Sequence, residues 1–232
     1  MKIKETALYL YLISSIIAIV GVVADNDFLL LITKPVIIPS IYFYYLFIAR
    51  KPNILFTLFL VVTFIGDAVI LLKLDNPIFT MVPYFISYLL MLKFILEDVV
   101  RTRVHFSALG FSVVLFVILM LMTFLLKENP GENGKNLVYP IIGYGIVLSA
   151  LVSLSVYNFM AQKTISGFYL LVACGCSLVS DVFYILYNQH FHIPALNYIN
   201  AAMQLTSYYF FVKYMINRVS QIKVRLVTAT EP

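Results

Sequence analysis

The sequence predicts an all-α, polytopic integral membrane protein, a bundle of eight transmembrane helices, and three observations carry that reading. First, 62% of the 232 residues are hydrophobic and only 12% are charged, about half the charged share of a soluble domain. Second, the apolar residues come in long blocks separated by short turn signals, as lipid-facing segments do. Third, the basic residues concentrate at every second boundary between the blocks, as the positive-inside rule requires.

Taken in order, the blocks run 6–24, 27–48, 53–73, 78–96, 104–126, 137–159, 165–187 and 195–216. Each is long enough to cross a hydrocarbon core of ~30 Å at 1.5 Å per residue. Asp25-Asn26-Asp27 separates the first pair, Arg50-Lys51-Pro52-Asn53 the second and Asp75-Asn76-Pro77 the third, and a longer loop from Lys127 to Asn136 carries Pro-Gly and Asn-Gly steps. One transmembrane domain over 1–217 and a short, frayed cytoplasmic tail over 218–232 follow. The run after Met1-Lys2-Ile3-Lys4 has no small-residue cleavage site and reads as the first span.

Orientation comes from the lysines and arginines. The N-terminus, every second loop and the tail hold Lys2, Lys4, Arg50, Lys51, Arg101, Arg103, Lys163, Arg218, Lys223 and Arg225, ten in all, against Lys73, Lys127 and Lys135 on the other side. Both termini are therefore expected in the cytoplasm, in the inner membrane of a bacterial cell. The net charge of +5 is explained by this placement at span ends, so no nucleic-acid partner is implied. Cys174 and Cys176 lie within an apolar block and imply helix packing, without a disulfide framework. A weak echo links Gly66-Asp67 in span 3 with Ser180-Asp181 in span 7, and Pro35 in span 2 with Pro140 in span 6, suggesting a 4+4 parallel repeat.

Ionisable groups inside a membrane are expensive, so each is a functional candidate by default. Lys34, Asp67 and Asp181 stand clear of the span ends. Lys34 lies seven residues into its span, and each aspartate six residues short of the end of its own. At 1.5 Å per residue all three fall roughly 10 Å below one face of the hydrocarbon, the outer one in the expected orientation. Tyr84, Ser87, Tyr88, Tyr144, Asn200 and Gln204 reach the same level from spans 4, 6 and 8, while spans 1 and 5 read as scaffolding. The arrangement predicts a polar pocket in an apolar surround. Each member also has a structural reading: Lys34 snorkelling to the interface, the aspartates bonding helices together, the tyrosines packing. Glu97 and Lys93 at the end of span 4 are expected to pair or reach the interface. His190 and His192 are expected in a solvated outer loop, and no membrane-embedded histidine cluster with ligand spacing exists, so neither metal nor cofactor is called for.

These motifs resemble those of the YhhN family, lysoplasmalogenase-like membrane proteins of bacteria and animals. Thr33-Lys34-Pro35 followed by Pro39, Gly66-Asp67, Pro140 with Tyr144, and Ser180-Asp181 are similar to that family's Lys-Pro, Gly-Asp, span 6 and Ser-Asp patterns, in the same order on the same spans. Family members often carry a histidine in span 4, where this chain has Tyr84, Ser87 and Tyr88. The resemblance implies an ether hydrolase that cleaves the vinyl-ether bond of a lysophospholipid substrate, releasing a fatty aldehyde and a glycerophospho-head group. Asp67 and Asp181 would then be the catalytic carboxyls, one protonated as the acid and one as its ionised partner, since an apolar site holds a carboxyl neutral and two neighbouring carboxyls titrate apart. Lys34 would hold the phosphate as a point charge, and Tyr84, Tyr88, Tyr144 and Gln204 would line the substrate site. Two other readings fit the same residues: a proton-coupled transporter, since Lys and Asp within spans also build proton relays, and a non-catalytic lipid-binding protein.

Overall fold

The computed structural model describes residues 3–49, 52–72, 77–102, 104–126 and 138–230. They form eight α-helices, α1 Ile3–Val23, α2 Asp27–Ala49, α3 Ile54–Leu71, α4 Pro77–Val100, α5 Phe106–Leu126, α6 Val138–Gln162, α7 Ile165–Ile185 and α8 Pro194–Thr230, with no strand among the described residues. The first seven are long and apolar enough to cross a membrane. The exception, α8, carries Asn200, Gln204 and Ser207 in its first four turns, where Asn200 and Gln204 bond to α7 and α3. The chain is a multi-pass helical membrane bundle. The turn at Asp75-Asn76, the loop 127–136, and Lys2, Arg50, Lys51, Lys73, Arg103, Lys127 and Lys135 lie outside the described residues.

Local chemistry sets the helix ends. Asn53 caps α3, its side-chain oxygen accepting from the amides of Leu55 at 3.0 Å and Phe56 at 3.3 Å. Thr164 caps α7 through Gly167 N at 3.1 Å, and Asn26 accepts from Leu29 N at 3.1 Å to start α2. Asp25 and Lys163 take left-handed conformations, φ 50° and 49°, which reverses the chain within two or three residues. The expected outer loop holding His190 and His192 is instead a π-helical turn, Leu186–Phe191, continuing α7, and His192 follows it with φ 47°. Two further ends differ. α4 runs one turn past the expected 96, and α8 continues through the expected tail to Thr230.

The helices pack in a repeating pattern. α1 lies on α2 and α5 on α6; α2 meets α3 and α6 meets α7; α3 meets α4 and α7 meets α8; α4 crosses to α6 and α8 crosses back to α2. Each neighbour pair of the first four helices thus has a counterpart in the last four, which gives the Asp67/Asp181 echo a structural basis. The symmetry breaks at one seam. α1 also packs on α8, with the Tyr11 hydroxyl donating to the Leu205 carbonyl, whereas α5 meets α4 at most marginally.

Aromatic packing fills the half of the bundle where α2 and α4 end and α3 begins. Tyr45, Phe56, Phe59, Phe94, Phe211 and Tyr214 are fully buried there, with Tyr45 edge-on to Phe56 at 4.9 Å, Phe56 stacked on Phe59 at 5.5 Å and Phe59 edge-on to Phe211 at 5.3 Å. A charged cluster closes the end of this half. Arg218, expected in the tail, is only 6% exposed and bridges Asp98 and Glu97 at 2.8 Å each. Tyr214 adds a hydrogen bond to Asp98 at 2.6 Å. Glu97 therefore pairs with Arg218, while Lys93 is exposed.

Candidate functional site

The opposite half holds the polar layer. Two carboxyls organise it, each with its own donors. On α3, Asp67 Oδ1 accepts from Tyr84 at 2.5 Å, Gln204 Nε2 at 3.1 Å and Tyr208 at 3.0 Å, and Oδ2 also accepts from Tyr208, at 3.1 Å. Gln204 Nε2 in turn donates to the Tyr84 hydroxyl at 2.8 Å. On α7, Asp181 Oδ2 accepts from Tyr88 at 2.8 Å and Tyr144 at 2.7 Å. Every one of these bonds joins different helices, so the layer ties α3, α4, α6, α7 and α8 together.

Helical spacing explains how the layer forms. Tyr84 and Tyr88 are four apart on α4 and serve different aspartates from adjacent turns of one face. Asn200, Gln204 and Tyr208 make a similar row on α8, where Asn200 accepts from Ser180 at 2.7 Å beside Asp181. Gly66 permits the Tyr84 contact, because a Cβ there would lie 3.1 Å from ring atoms Cε2 and Cζ of Tyr84. The dipeptide Gly66-Asp67 thus has a geometric reason: the first residue makes room for the phenol that the second receives.

The two carboxyls share no hydrogen bond, contrary to a directly interacting pair, and their situations differ. Asp67 is buried, with donors on both oxygens. Both tyrosines of Asp181 reach Oδ2, and Oδ1 takes no hydrogen bond from the described residues. Asp181 also lines two cavities. One, of about 20 Å³, is walled by Thr63, Ser87, Ser177, Ser180, Ser207 and the phenols of Tyr84, Tyr88 and Tyr208, with Phe59 and Phe211 at its base. That is room for about one water molecule with several polar partners. The other, of about 300 Å³, is walled mainly by apolar side chains of α4, α5, α6 and α7, among them Met81, Leu119, Met122, Leu148 and Leu178. It is the size of a small-ligand site. Its wall residues all lie at the end of the bundle where α3, α5 and α7 finish and α4, α6 and α8 begin. Helix α5, expected as scaffolding alone, is therefore part of this wall through Leu119, Met122 and Thr123.

Of the residues singled out from sequence, Tyr84, Tyr88, Tyr144 and Gln204 are brought onto the two aspartates. Lys34 is not. It lines neither cavity and, among the described residues, makes no ion pair, acting on Asp67 only through space. The phosphate-holding role expected for it has no geometric basis in the cavity wall, since α2 contributes no residue there. Tyr208 was missed, although its place four residues after Gln204 continues the α8 row. Among the described residues no group of three or more His, Cys, Asp or Glu side chains converges as metal ligands would.

Against known proteins, the model of the YhhN family matches residues 29–218. No curated protein and no solved structure matches the chain.

Proposed function

The chain belongs to the YhhN family, and from that premise and the geometry of the layer we propose that it is a membrane-embedded hydrolase of the vinyl-ether bond in lysoplasmalogens. The observation that carries the reading is the position of Asp181, which borders both a water-sized polar chamber and an apolar cavity of about 300 Å³. Vinyl-ether cleavage needs an acid that can meet both water and an apolar chain.

With Oδ2 of Asp181 occupied by two phenols, the proton of the neutral acid belongs on Oδ1. That proton passes to the alkenyl carbon one removed from the ether oxygen, and the C=C pair becomes the new C–H bond. An oxocarbenium ion forms at the carbon joined to oxygen, facing the carboxylate just created. Water adds to that carbon and returns a proton to Asp181. The resulting hemiacetal breaks its C–O bond, giving a fatty aldehyde and the head-group alcohol, so the acid is regenerated and one water is consumed. Asp67 is the acceptor that fixes Tyr84 and Gln204 at the rim of both cavities. It serves as a positioning residue, with the Lys34 charge balancing it through space.

A transporter would need a polar path through both halves of the bundle. The fully buried Tyr45, Phe56, Phe59, Phe94 and Phe211 fill the half opposite the carboxyls, which favours an enzyme. The ten-to-three distribution of basic residues supports placing the carboxyl layer in the outer leaflet of a bacterial inner membrane. The test is aldehyde release from a single-chain vinyl-ether phospholipid by purified protein in detergent, where no compartments exist. Aldehyde and glycerophospho-head group in equal amounts are expected. Movement of lipid or protons in vesicles without aldehyde would favour the transporter and contradict the reading.

A further inference from the structure

We propose that the seam between α4 and α5 is a lateral port, through which a single-chain lipid slides from the bilayer into the apolar cavity and seats its chain against α5, α6 and α7. The chain chemistry rests on the hydrolase reading above; the port rests on the packing. Three observations point to it.

The first is where the internal symmetry fails. The α1–α8 seam is packed and pinned by the Tyr11–Leu205 hydrogen bond, and the carboxyl belonging to that half, Asp67, is enclosed by donors. The corresponding α5–α4 seam is barely joined, and the carboxyl of that half, Asp181, faces the cavity. One seam is packed and its counterpart is loose, and the loose one borders the cavity that Asp181 lines.

The second is Met122. It lines the cavity and is also 46% exposed on the outer surface of α5, so the wall and the lipid-facing surface meet at this side chain. A flexible thioether on α5, with Met81 across the cavity on α4, suits a mouth that must yield to a passing chain. The third is how α5 is held. Among the described residues it packs mainly on α6, and it does so closely at Gly145, where a Cβ would come within 2.4 Å of Thr123 Cγ2. Both residues line the cavity. The glycine draws α5 against α6 and leaves its α4 side free, so a small swing about this contact widens the seam without breaking the ring of helices.

The energetics suit sideways passage. Hydrocarbon around the bundle is as apolar as the cavity wall, so a chain moving between them gives up no hydrophobic stabilisation. Lifting the same chain through water would expose each of its methylenes and forfeit that stabilisation.

The experiment uses the full-length protein in lipid nanodiscs with a single-chain phospholipid carrying a photoactivatable diazirine in mid-chain, mapped by peptide mass spectrometry. Adducts competed by unlabelled lysolipid are expected at Leu119, Met122, Leu148 and Leu178. Met122→Trp should lower that labelling about tenfold, a ~1.4 kcal/mol effect, without lowering the melting temperature. Leu121→Trp, on the same helix but outside the cavity and 57% exposed, should leave it unchanged. Adducts confined to the α1–α8 side, or Met122→Trp labelling like wild type, would overturn the port. If labelling follows the expected pattern in a protein that releases no aldehyde, the hydrolase reading fails and the port stands. Aldehyde release with labelling elsewhere overturns the port alone.

Discussion

Asp181→Asn is expected to lower turnover of a vinyl-ether lysolipid by at least ~10²-fold, the scale of a general acid, while the protein still folds. The amide oxygen of Asn can accept from Tyr88 and Tyr144 as Oδ2 of Asp181 does now, so the helix contacts survive. What disappears is the transferable proton of the carboxyl. Asp67→Asn should act differently. Its amide oxygen can still receive Tyr84, Gln204 and Tyr208 as Oδ1 does now, but the amide nitrogen meets the Tyr208 hydroxyl that also reaches Oδ2, and a neutral amide holds its donors less firmly than a carboxylate. Tyr84 and Gln204 shift by a fraction of an ångström, and turnover should fall about tenfold with some loss of stability. Steady-state rates read beside melting temperatures separate the two. An Asp181→Asn protein within a few-fold of wild type would remove the acid from the mechanism.

The second large effect lies at the other end of the bundle. Arg218→Met should destabilise the fold by about 3 kcal/mol, because it leaves Asp98 with a charge and only Tyr214 to answer it. The Asp98 side chain is 15% exposed and that of Glu97 38%, so most of the loss comes from Asp98, with the Glu97 share screened by solvent. Adding Asp98→Asn should recover more than half of it, since removing both charges is far cheaper than orphaning one. Thermal or denaturant unfolding in detergent reads this directly. Aldehyde release below the melting transition should be unaffected, as the cluster lies in the half away from Asp181. An Arg218→Met protein as stable as wild type would make the cluster a surface feature.

How much of this the sequence shows depends on what each residue would cost in lipid. Asp67 and Asp181 stand out because a carboxyl in hydrocarbon demands a reason, and their common depth follows from counting residues along spans. Tyr84, Tyr88, Tyr144 and Gln204 could be placed at that level by the same counting. Tyr208 could have been added by extending the Asn200–Gln204 row one turn, but a tyrosine in a span is so often packing that spacing alone did not distinguish it. Lys34 illustrates the limit. Its depth is readable, yet the direction of a side chain around a helix depends on neighbours that α2 acquires only in the bundle. The wall formed by α5 is illegible for the opposite reason: a helix apolar all round carries no mark of which face meets a cavity. Arg218 was misplaced because the stretch beyond 216 has the composition of a water-exposed tail, whereas its buried partners, Glu97 and Asp98, sit in a turn of α4 that also exceeds its apolar block. The two aspartates suggest a repeat, and the order of packing parallels it, a property of pairs that no single stretch of sequence contains.

The central step is proton delivery to carbon by Asp181, and one isotope measurement reads it. Wild-type protein is equilibrated in D₂O, which exchanges the carboxyl proton, and given a single-chain vinyl-ether phospholipid; the aldehyde is trapped as it forms and weighed by mass spectrometry. Each molecule should carry one deuterium on the carbon next to the aldehyde, placed there as the new C–D bond. Aldehyde without that deuterium, or a fatty acid in its place, would contradict the mechanism.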